Sequence, residues 1–226
     1  MIPKNEPFLW SDEHITQRLY EVLTSDAVAI TTTDTIPGFL APLTEEGFAA
    51  LNRCKGGRQG RPYLILIASR RKLTKFIDPC NLTPTVETLV KRCWPGALTL
   101  VCKAKKSLPA YLTSAEGTVA LRCPRHEGLL ALLPKFDGLF STSANVSGRP
   151  APVIMSDVDV SLREAVACVV SARGIKGAGH MPSTILDVSS MTVDATDQEH
   201  GQVRLIRAGD LDVETLEEVM GRKILR

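Results

Sequence analysis

Residues 138–148, GLFSTSANVSG, join an apolar strand pattern to a dense run of polar side chains. The apolar part, Gly138–Thr142, predicts a buried strand, and the polar run Ser141–Gly148 follows directly. Small hydroxyl and amide side chains at the end of a strand can donate several hydrogen bonds to one anion. Serine and asparagine are also common turn formers, so this run alone is weak evidence for a binding site.

A second polar segment lies about 85 residues earlier in the chain. Residues 53–62, RCKGGRQGRP, contain three glycines and a proline, a composition typical of a loop. Lys55, Arg58 and Arg61 lie in this loop. Flexible glycines let backbone N–H groups approach a phosphate closely, and the cations neutralise its charge. Composition alone favours the simpler interpretation of a solvated basic loop.

Hydrophobic periodicity predicts strands and helices that alternate irregularly, with more strands than helices. The predicted strands are Val28–Thr33, Tyr63–Ala68, Ala97–Cys102, Thr118–Cys123, Gly138–Thr142, Ala167–Ser171, Ser183–Val188 and Gln202–Ile206. The predicted helices begin at Ser11, near Thr44 and at Pro84, with shorter ones near Glu127–Leu133 and around Val213–Met220. This order favours one α/β domain built on a mixed, twisted sheet.

The composition is that of an ordinary folded protein. The 226 residues include 44% hydrophobic and 23% charged residues, with a formal net charge of +2. So small a charge excludes a protein that coats nucleic acid over its whole surface. Apolar runs such as the one around Leu64–Ala68 are far too short to span a bilayer, and the N-terminus lacks the apolar core of a secretory signal. We therefore expect a cytoplasmic protein that does not contact membranes.

Several common catalytic and binding motifs are absent. The sequence has no P-loop, no G-x-G-x-x-G after a strand and no G-x-S-x-G. The six cysteines form no C-x-x-C pair and are interpreted as reduced, mostly buried thiols. The four histidines are too scattered for a metal triad, so no protein-ligated metal is expected.

Seven segments together resemble the YrdC/Sua5 family, the threonylcarbamoyl-AMP synthases of tRNA modification. They are Thr33–Gly38 (TDTIPG), the Lys55/Arg58 loop with Leu64–Ile67, Trp94–Thr99 (WPGALT), Val119–Pro124 with His126, Ser141–Gly148, Pro182–Asp187 and Leu205–Gly209. They occur in the family's order and cover nearly the whole chain. The resemblance implies a YrdC-like twisted mixed sheet flanked by helices, with a concave basic pocket. It also implies a single domain, 1–226, without a second C-terminal domain.

The resemblance implies a nucleotidyltransferase activity. The enzyme would join L-threonine, bicarbonate and ATP into threonylcarbamoyl-AMP and pyrophosphate, for the t6A modification of tRNA. ATP would be bound with Mg²⁺, and tRNA-modification proteins would receive the product. Such a reaction requires cations around the triphosphate, a group that binds the amino-acid carboxylate, and a cavity that excludes water. It requires no covalent nucleophile, so the scattered histidines are consistent with it.

The family's site residues carry over to eleven positions. The implied catalytic residues are Lys55, Arg58, Ser143 and Asn145. The implied threonine-binding residues are Thr33, Thr35, Thr118 and Arg122. The implied nucleotide-binding residues are Lys55, Arg58, Ser141, Ser143, Asn145, Ser183 and Arg207. His126 is interpreted as a capping or loop residue, because an isolated histidine of this kind is more often structural than catalytic.

Two departures from the family pattern keep other functions open. The spacing Lys55-x-x-Arg58 replaces the usual Lys-x-Arg, and Pro37 replaces an aromatic residue that would line the pocket. One alternative is therefore a paralogue with a different carbamoyl or nucleotide chemistry. The other is a YrdC-like RNA-binding protein, possible because Lys and Arg crowd residues 53–75. At 5% aromatic residues, stacking platforms for single-stranded RNA are scarce, and strong salt dependence would identify RNA binding.

Overall fold

The computed structural model describes residues 7–57, 62–172, 181–194 and 196–226. Within these ranges, twelve strands form one ten-stranded sheet and one separate two-stranded sheet. The strands are β1 (Phe8–Leu9), β2 (Ala29–Thr31), β3 (Gly38–Pro42), β4 (Leu64–Leu66), β5 (Leu98–Lys103), β6 (Thr118–Arg122), β7 (Leu139–Ser143), β8 (Cys168–Ser171), β9 (Thr184–Asp187), β10 (Thr192–Val193), β11 (Glu199–His200) and β12 (Arg204–Arg207). The α-helices are α1 (Ile15–Thr24), α2 (Glu45–Cys54), α3 (Pro84–Cys93), α4 (Glu127–Leu132), α5 (Val160–Glu164) and α6 (Val213–Met220).

The large sheet is mixed. Its strand order is β1-β8-β2-β3-β7-β4-β6-β5-β9-β12. The pairs β1/β8, β2/β8, β4/β6 and β5/β9 are parallel, and the other five pairs are antiparallel. The predicted α/β class with a mixed sheet is therefore confirmed.

Most helix starts follow from local capping chemistry. The hydroxyl of Thr44 accepts a hydrogen bond from the N–H of Gly47 at the start of α2, and Thr83 caps α3 in the same way. The first helix was predicted to begin at Ser11 but begins at Ile15. The strand β1 pairs with β8 just before it, and a turn closed by the hydrogen bond from Asp12 N–H to the carbonyl of Leu9 takes up the intervening residues.

Strand β3 is absent from the strands that the sequence predicts. Its sequence, Gly38–Pro42, contains glycine and proline, which are both depleted in strands. It nevertheless pairs with β2 on one side and over five positions with β7 on the other. Tertiary pairing therefore overrides the local preference of this segment.

The two faces of the sheet are covered unequally. Neighbouring residues of a strand point to opposite faces, as Leu139 and Phe140 of β7 do. On the Phe140 face, α2, α3 and α6 pack over the sheet as one large apolar cluster. On the Leu139 face, α1 and α4 pack over the part of the sheet around β8, β2, β3 and β7. The rest of that second face, from β7 towards β12, is left for a cleft.

Leu121 of β6 tests the core beneath this cleft, because it is fully buried on the helix-covered face. We expect Leu121→Ala to lower the free energy of unfolding by about 2–5 kcal/mol, the cost of a cavity in a packed core. The matched control is Leu225→Ala, at a leucine with 45% of its surface exposed. This variant should change the free energy of unfolding by no more than about 0.5 kcal/mol. Urea unfolding measures both, and equal losses would contradict the packing described.

Candidate functional site

The uncovered part of the sheet is the floor of a cleft of about 1120 Å³. Strands β7, β4, β6, β5, β9 and β12 all contribute to its lining. Ten of the eleven predicted site residues line it: Thr33, Thr35, Lys55, Thr118, Arg122, Ser141, Ser143, Asn145, Ser183 and Arg207. The eleventh, Arg58, lies outside the described residues. The structure therefore brings together segments that are far apart in the chain.

Strand register explains why these side chains meet. Leu64 lies opposite Ser141 on one neighbouring strand and opposite Ala120 on the other. Alternate residues share a face, so Thr118 and Arg122 line the cleft with Ala120, as their spacing predicts. The centre of the floor is apolar and its two ends are polar.

At one end of the cleft, Lys55 binds the polar run that follows β7. Lys55 lies at the C-terminus of α2, and only 3% of its surface is exposed. Its Nζ donates hydrogen bonds to the carbonyl oxygen of Ser143 and to Oδ1 of Asn145, both at 2.9 Å. The Ser143 hydroxyl donates to the same Oδ1 at 2.5 Å. The amide oxygen of Asn145 thus fixes both side chains.

Two glycines allow α2 to end at this point. Gly56 and Gly57 have φ angles of +72° and +81°, in the left-handed region that glycine adopts without strain. The N–H of Gly57 donates to the carbonyl of Asn52 at 2.9 Å and closes the helix C-terminus. Gly57 itself lines the cleft, so the C-terminus of α2 lies at the site.

At the centre of the cleft wall, Arg122 is held by three contacts. Its Nε donates to the carbonyl oxygen of Gly96, and its Nη1 donates to the hydroxyl of Thr35, both at 2.9 Å. Its Nη2 lies 2.8 Å from Oδ1 of Asp34 in a buried ion pair. Burial lowers the pKa of Arg122, and the negative charge of Asp34 opposes that effect. With 4% of its surface exposed, Arg122 is not a surface strand arginine.

Thr33 and Thr35 form a hydroxyl pair next to Arg122. Strand β2 ends at Thr31, so these threonines belong to the turn that follows it. Their Oγ1 atoms are 3.1 Å apart, and the Thr33 hydroxyl also donates to the carbonyl of Ile36 at 2.9 Å. Both residues are buried yet line the cleft, as a subsite for a small ligand requires.

The far end of the cleft carries a third polar group. The hydroxyls of Thr99 and Ser183 are 2.8 Å apart. Arg207 donates through Nη2 to the carbonyl of Ser183 at 2.8 Å, which links the end of β12 to the residue before β9. Partial burial lowers the pKa of Arg207, and the positive charge of Arg122 lowers it further.

The cleft is positively charged. Its described lining residues include the cations Lys55, Arg122 and Arg207, and Glu116 is the only acidic residue among them. Glu116 lies at the rim, beside a hydrogen-bonded hydroxyl pair formed by Ser114 and Thr118 at 2.8 Å. Such a cleft suits a ligand that carries several negative charges.

His126 has a structural role, as the sequence predicts. Its Nδ1 accepts a hydrogen bond from the N–H of Leu129 and caps α4, and its ring packs 4.9 Å from that of Trp10. Burial lowers the pKa of this imidazole, against the opposite effects of Asp34 and Glu127. His126 does not line the cleft.

Outside the cleft, other expectations have mixed outcomes. Cys102, Cys123 and Cys168 are buried, but Cys80 is exposed and the remaining two are intermediate; all six are free thiols.

In the basic segment that the sequence analysis considers for RNA binding, Lys72 and Lys75 both form ion pairs with Asp137. Among the described residues, no group of three His, Cys, Asp or Glu side chains is placed to hold a metal ion. Nor is any helix of the described ranges long and apolar enough to cross a membrane.

Several polar residues of the site were not predicted from the sequence, among them Thr99, Glu116 and Asp34. Thr99 and Glu116 line the cleft, and Asp34 supports Arg122 from behind. Thr99 and Asp34 lie inside the motifs WPGALT and TDTIPG, so their place in these motifs could have identified them as site residues. Nothing local marks Glu116.

Comparisons with known proteins show the family to which the chain belongs. The family model Sua5_yciO_yrdC, described as "Telomere recombination", matches residues 21–208. The threonylcarbamoyl-AMP synthase of Pyrococcus abyssi (strain GE5 / Orsay) is 31% identical over 191 residues, 84% of this chain and 52% of that protein. The putative threonylcarbamoyl-AMP synthase of Mycobacterium leprae (strain TN) is 32% identical over 190 residues, 84% of this chain and 80% of that protein.

A solved structure gives the same result. The crystal structure of P. abyssi Sua5 complexed with L-threonine superposes with a TM-score of 0.79 at 28% identity, over 94% of this chain and 59% of that one. The chain thus spans about half of the P. abyssi protein and four fifths of the M. leprae one. These matches confirm the fold and the family that the sequence predicts.

The buried imidazole of His126 gives a testable pH dependence. It binds a proton less readily in the folded protein than in the unfolded chain, where its pKa is about 6.5. Its contribution to stability is therefore present above that pH and is lost as the pH falls towards the lower pKa of the folded state.

We expect His126→Asn, which retains an N-cap acceptor, to lose less stability than the native protein between about pH 7.5 and pH 5.5. Urea unfolding of both proteins at the two pH values measures the difference. Every other titrating group is common to both, so equal losses would rule out the effect of His126.

Proposed function

The chain belongs to the Sua5/YciO/YrdC family, and we propose that it is an L-threonylcarbamoyladenylate synthase. It joins L-threonine, bicarbonate and ATP into threonylcarbamoyl-AMP and pyrophosphate, which makes it a nucleotidyltransferase. Two of the relatives described above carry the name threonylcarbamoyl-AMP synthase, and a related structure was solved with L-threonine. Those names and that ligand support the proposal.

One observation carries the proposal. A buried lysine hydrogen-bonded to the polar run after β7 and a buried arginine beside two threonine hydroxyls line the same cleft. The first arrangement suits a polyphosphate, and the second suits the carboxylate of a small amino acid. A synthase that joins these two ligands needs both at once.

The triphosphate of the nucleotide occupies the end of the cleft that contains Lys55, and the rest of the nucleotide extends towards Ser183 and Arg207 at the far end. The ammonium of Lys55, positioned by Ser143 and Asn145, stabilises the α-phosphate as negative charge gathers at the bond to the β-phosphate. Arg58 adds a second cation from the adjoining loop. Ser141, Asn145, Ser183 and Arg207 complete the nucleotide-binding residues. Mg²⁺ enters with ATP as part of the substrate, and the prediction that the protein itself ligates no metal stays a prediction.

Threonine occupies the region around Arg122, with Thr33, Thr35 and Thr118 as further contacts. Its amine combines with CO₂ from bicarbonate to form a carbamate, and water leaves. The carbamate oxygen then attacks the α-phosphorus: a bond from carbamate oxygen to phosphorus forms, the bond to the bridging oxygen breaks, and pyrophosphate departs. The cleft slows hydrolysis of the carbamate and of the mixed anhydride by limiting access of water.

The product then passes to tRNA-modification proteins that complete t6A. A cytoplasmic location and the folding of residues 1–226 as a single domain stay predictions. Weak RNA binding also stays a prediction, and its salt dependence distinguishes it from binding of a nucleotide.

Threonine-dependent release of pyrophosphate tests the proposed function. Purified protein is incubated with ATP, Mg²⁺, bicarbonate and L-threonine, and pyrophosphate is followed with and without threonine. We expect release only in the complete mixture, together with a product of the mass of threonylcarbamoyl-AMP. No threonine-dependent release would contradict the proposal.

Lys55→Met tests the cation at the nucleotide end. Removing a charge that stabilises the transition state should lower kcat/KM by about 100-fold or more. The matched control is Lys91→Met, at an exposed lysine of α3 that does not line the cleft, and it should keep native activity. Equal activity of both variants would show that Lys55 does not contribute to the reaction.

Arg58→Ala tests the shifted spacing in the basic loop. If Arg58 is in register with the family motif, we expect a loss of turnover by orders of magnitude, while the free energy of unfolding changes by no more than about 0.5 kcal/mol. Kinetics and urea unfolding are measured on the same preparation. Native turnover in this variant would remove Arg58 from the site.

A further inference from the structure

Asp34 lies between Thr33 and Thr35 but is not among the predicted site residues. Its Oδ1 is 2.8 Å from Nη2 of Arg122, and its Oδ2 accepts a hydrogen bond from the N–H of Arg125 at 2.7 Å. Only 8% of the Asp34 side chain and 5% of the Arg122 side chain are exposed. Arg122 lines the cleft, whereas Asp34 contacts it from behind.

The surroundings of Arg122 fix the plane of its guanidinium. Gly96 accepts from Nε, Thr35 accepts from Nη1, and the carboxylate of Asp34 faces Nη2. A guanidinium has five N–H donors, and the second N–H of Nη1 has no partner among these contacts. Burial lowers the pKa of Arg122, and Asp34 is the largest influence that opposes it. Without Asp34, the cation would be buried without its counter-charge.

The ion pair also changes what the cleft attracts at this point. Arg122 and Asp34 together carry no net charge. By contrast, Arg207 at the far end of the cleft donates to the carbonyl and the hydroxyl of Ser183, which are neutral. A polyphosphate carries several charges and favours a region of net positive charge, and a nearby carboxylate repels it. A single carboxylate is repelled less and can still accept hydrogen bonds from the guanidinium.

We propose that Asp34 is a positioning and specificity-determining residue, which holds Arg122 for the carboxylate of the amino acid and keeps phosphate groups away from it. This inference rests on the proposed synthase function and deepens it. It explains how a cleft with several cations sorts two anionic substrates. The nucleotide binds where positive charge is in excess, and the amino acid binds where it is cancelled.

The native protein gives the first test. Pyrophosphate, a product of the reaction, should inhibit competitively against ATP but not against L-threonine, because the Arg122 region does not accept it. Competition between pyrophosphate and L-threonine in the native protein would overturn the proposal. This measurement needs no variant and so does not depend on how a substitution affects folding.

Asp34→Asn gives the second test, because it removes the charge but keeps an oxygen for the N–H of Arg125. We expect the KM for L-threonine to rise by about 10-fold or more, corresponding to one lost charge-assisted contact, while the KM for ATP changes little. In this variant, pyrophosphate should also become competitive with L-threonine. A merely structural role would change neither the pattern of inhibition nor one KM selectively.

Two further variants serve as controls. Asp34→Glu keeps the charge and should not allow pyrophosphate to compete with L-threonine. Asp137→Asn removes a carboxylate that pairs with Lys72 and Lys75 outside the cleft, and it should behave as the native protein. An unchanged KM for L-threonine in Asp34→Asn, or an equal rise in both KM values, would overturn the proposal.

Direct binding separates this inference from the proposed function. Calorimetry with L-threonine alone should show weaker binding to Asp34→Asn than to the native protein. If the native protein releases no pyrophosphate and binds no L-threonine, the proposed function fails. If the native protein releases pyrophosphate and binds L-threonine, and Asp34→Asn binds L-threonine equally well, only the role of Asp34 fails.

Discussion

The ammonium group of Lys55 is the buried charge on which the arrangement of the cleft depends. It is withdrawn from water and held by the carbonyl oxygen of Ser143 and the side chain of Asn145, 88 and 90 residues later in the chain. A buried charge without such partners would cost several kcal/mol. The end of α2 and the end of β7 must therefore meet, and the turn at Gly56 and Gly57 makes this possible.

Because helices cover the sheet incompletely, a cleft lies beside the contact between α2 and β7. Helices α2, α3 and α6 pack over one face, whereas α1 and α4 cover only part of the other, and the open part becomes the cleft floor. Strand register then places polar groups at both ends of an apolar centre. The catalytic proposal needs little more than this arrangement, because phosphoryl-transfer chemistry depends mainly on positioning and on charge stabilisation.

The sequence predicts much of this fold because many of its signals are local. Thr44 and Thr83 cap helices where their motifs indicate, and apolar runs mark most of the strands of the large sheet. The strand Gly38–Pro42 could not be predicted in the same way, because only its neighbours β2 and β7 stabilise an extended conformation there. The helix start predicted at Ser11 is wrong, because β1 pairs with β8 just before it and α1 begins only at Ile15.

The site was predicted less completely than the fold, for a related reason. Motif resemblance identified ten side chains that line the cleft, because each lies inside a recognisable segment. It did not show which other residues support them. The ion pair between Asp34 and Arg122 joins residues 88 positions apart, and the contact between Thr99 and Ser183 joins residues 84 apart. Such pairings depend on sheet register, which local sequence patterns specify only in part.

A crystal structure with L-threonine and a non-hydrolysable ATP analogue tests the central claim most directly, that one cleft holds both substrates at separate charged groups. The account requires the threonine carboxylate within hydrogen-bonding distance of Arg122 and the α-phosphate of the analogue within reach of Lys55 Nζ. Phosphate groups bound at Arg122, or threonine bound outside the cleft, would contradict it.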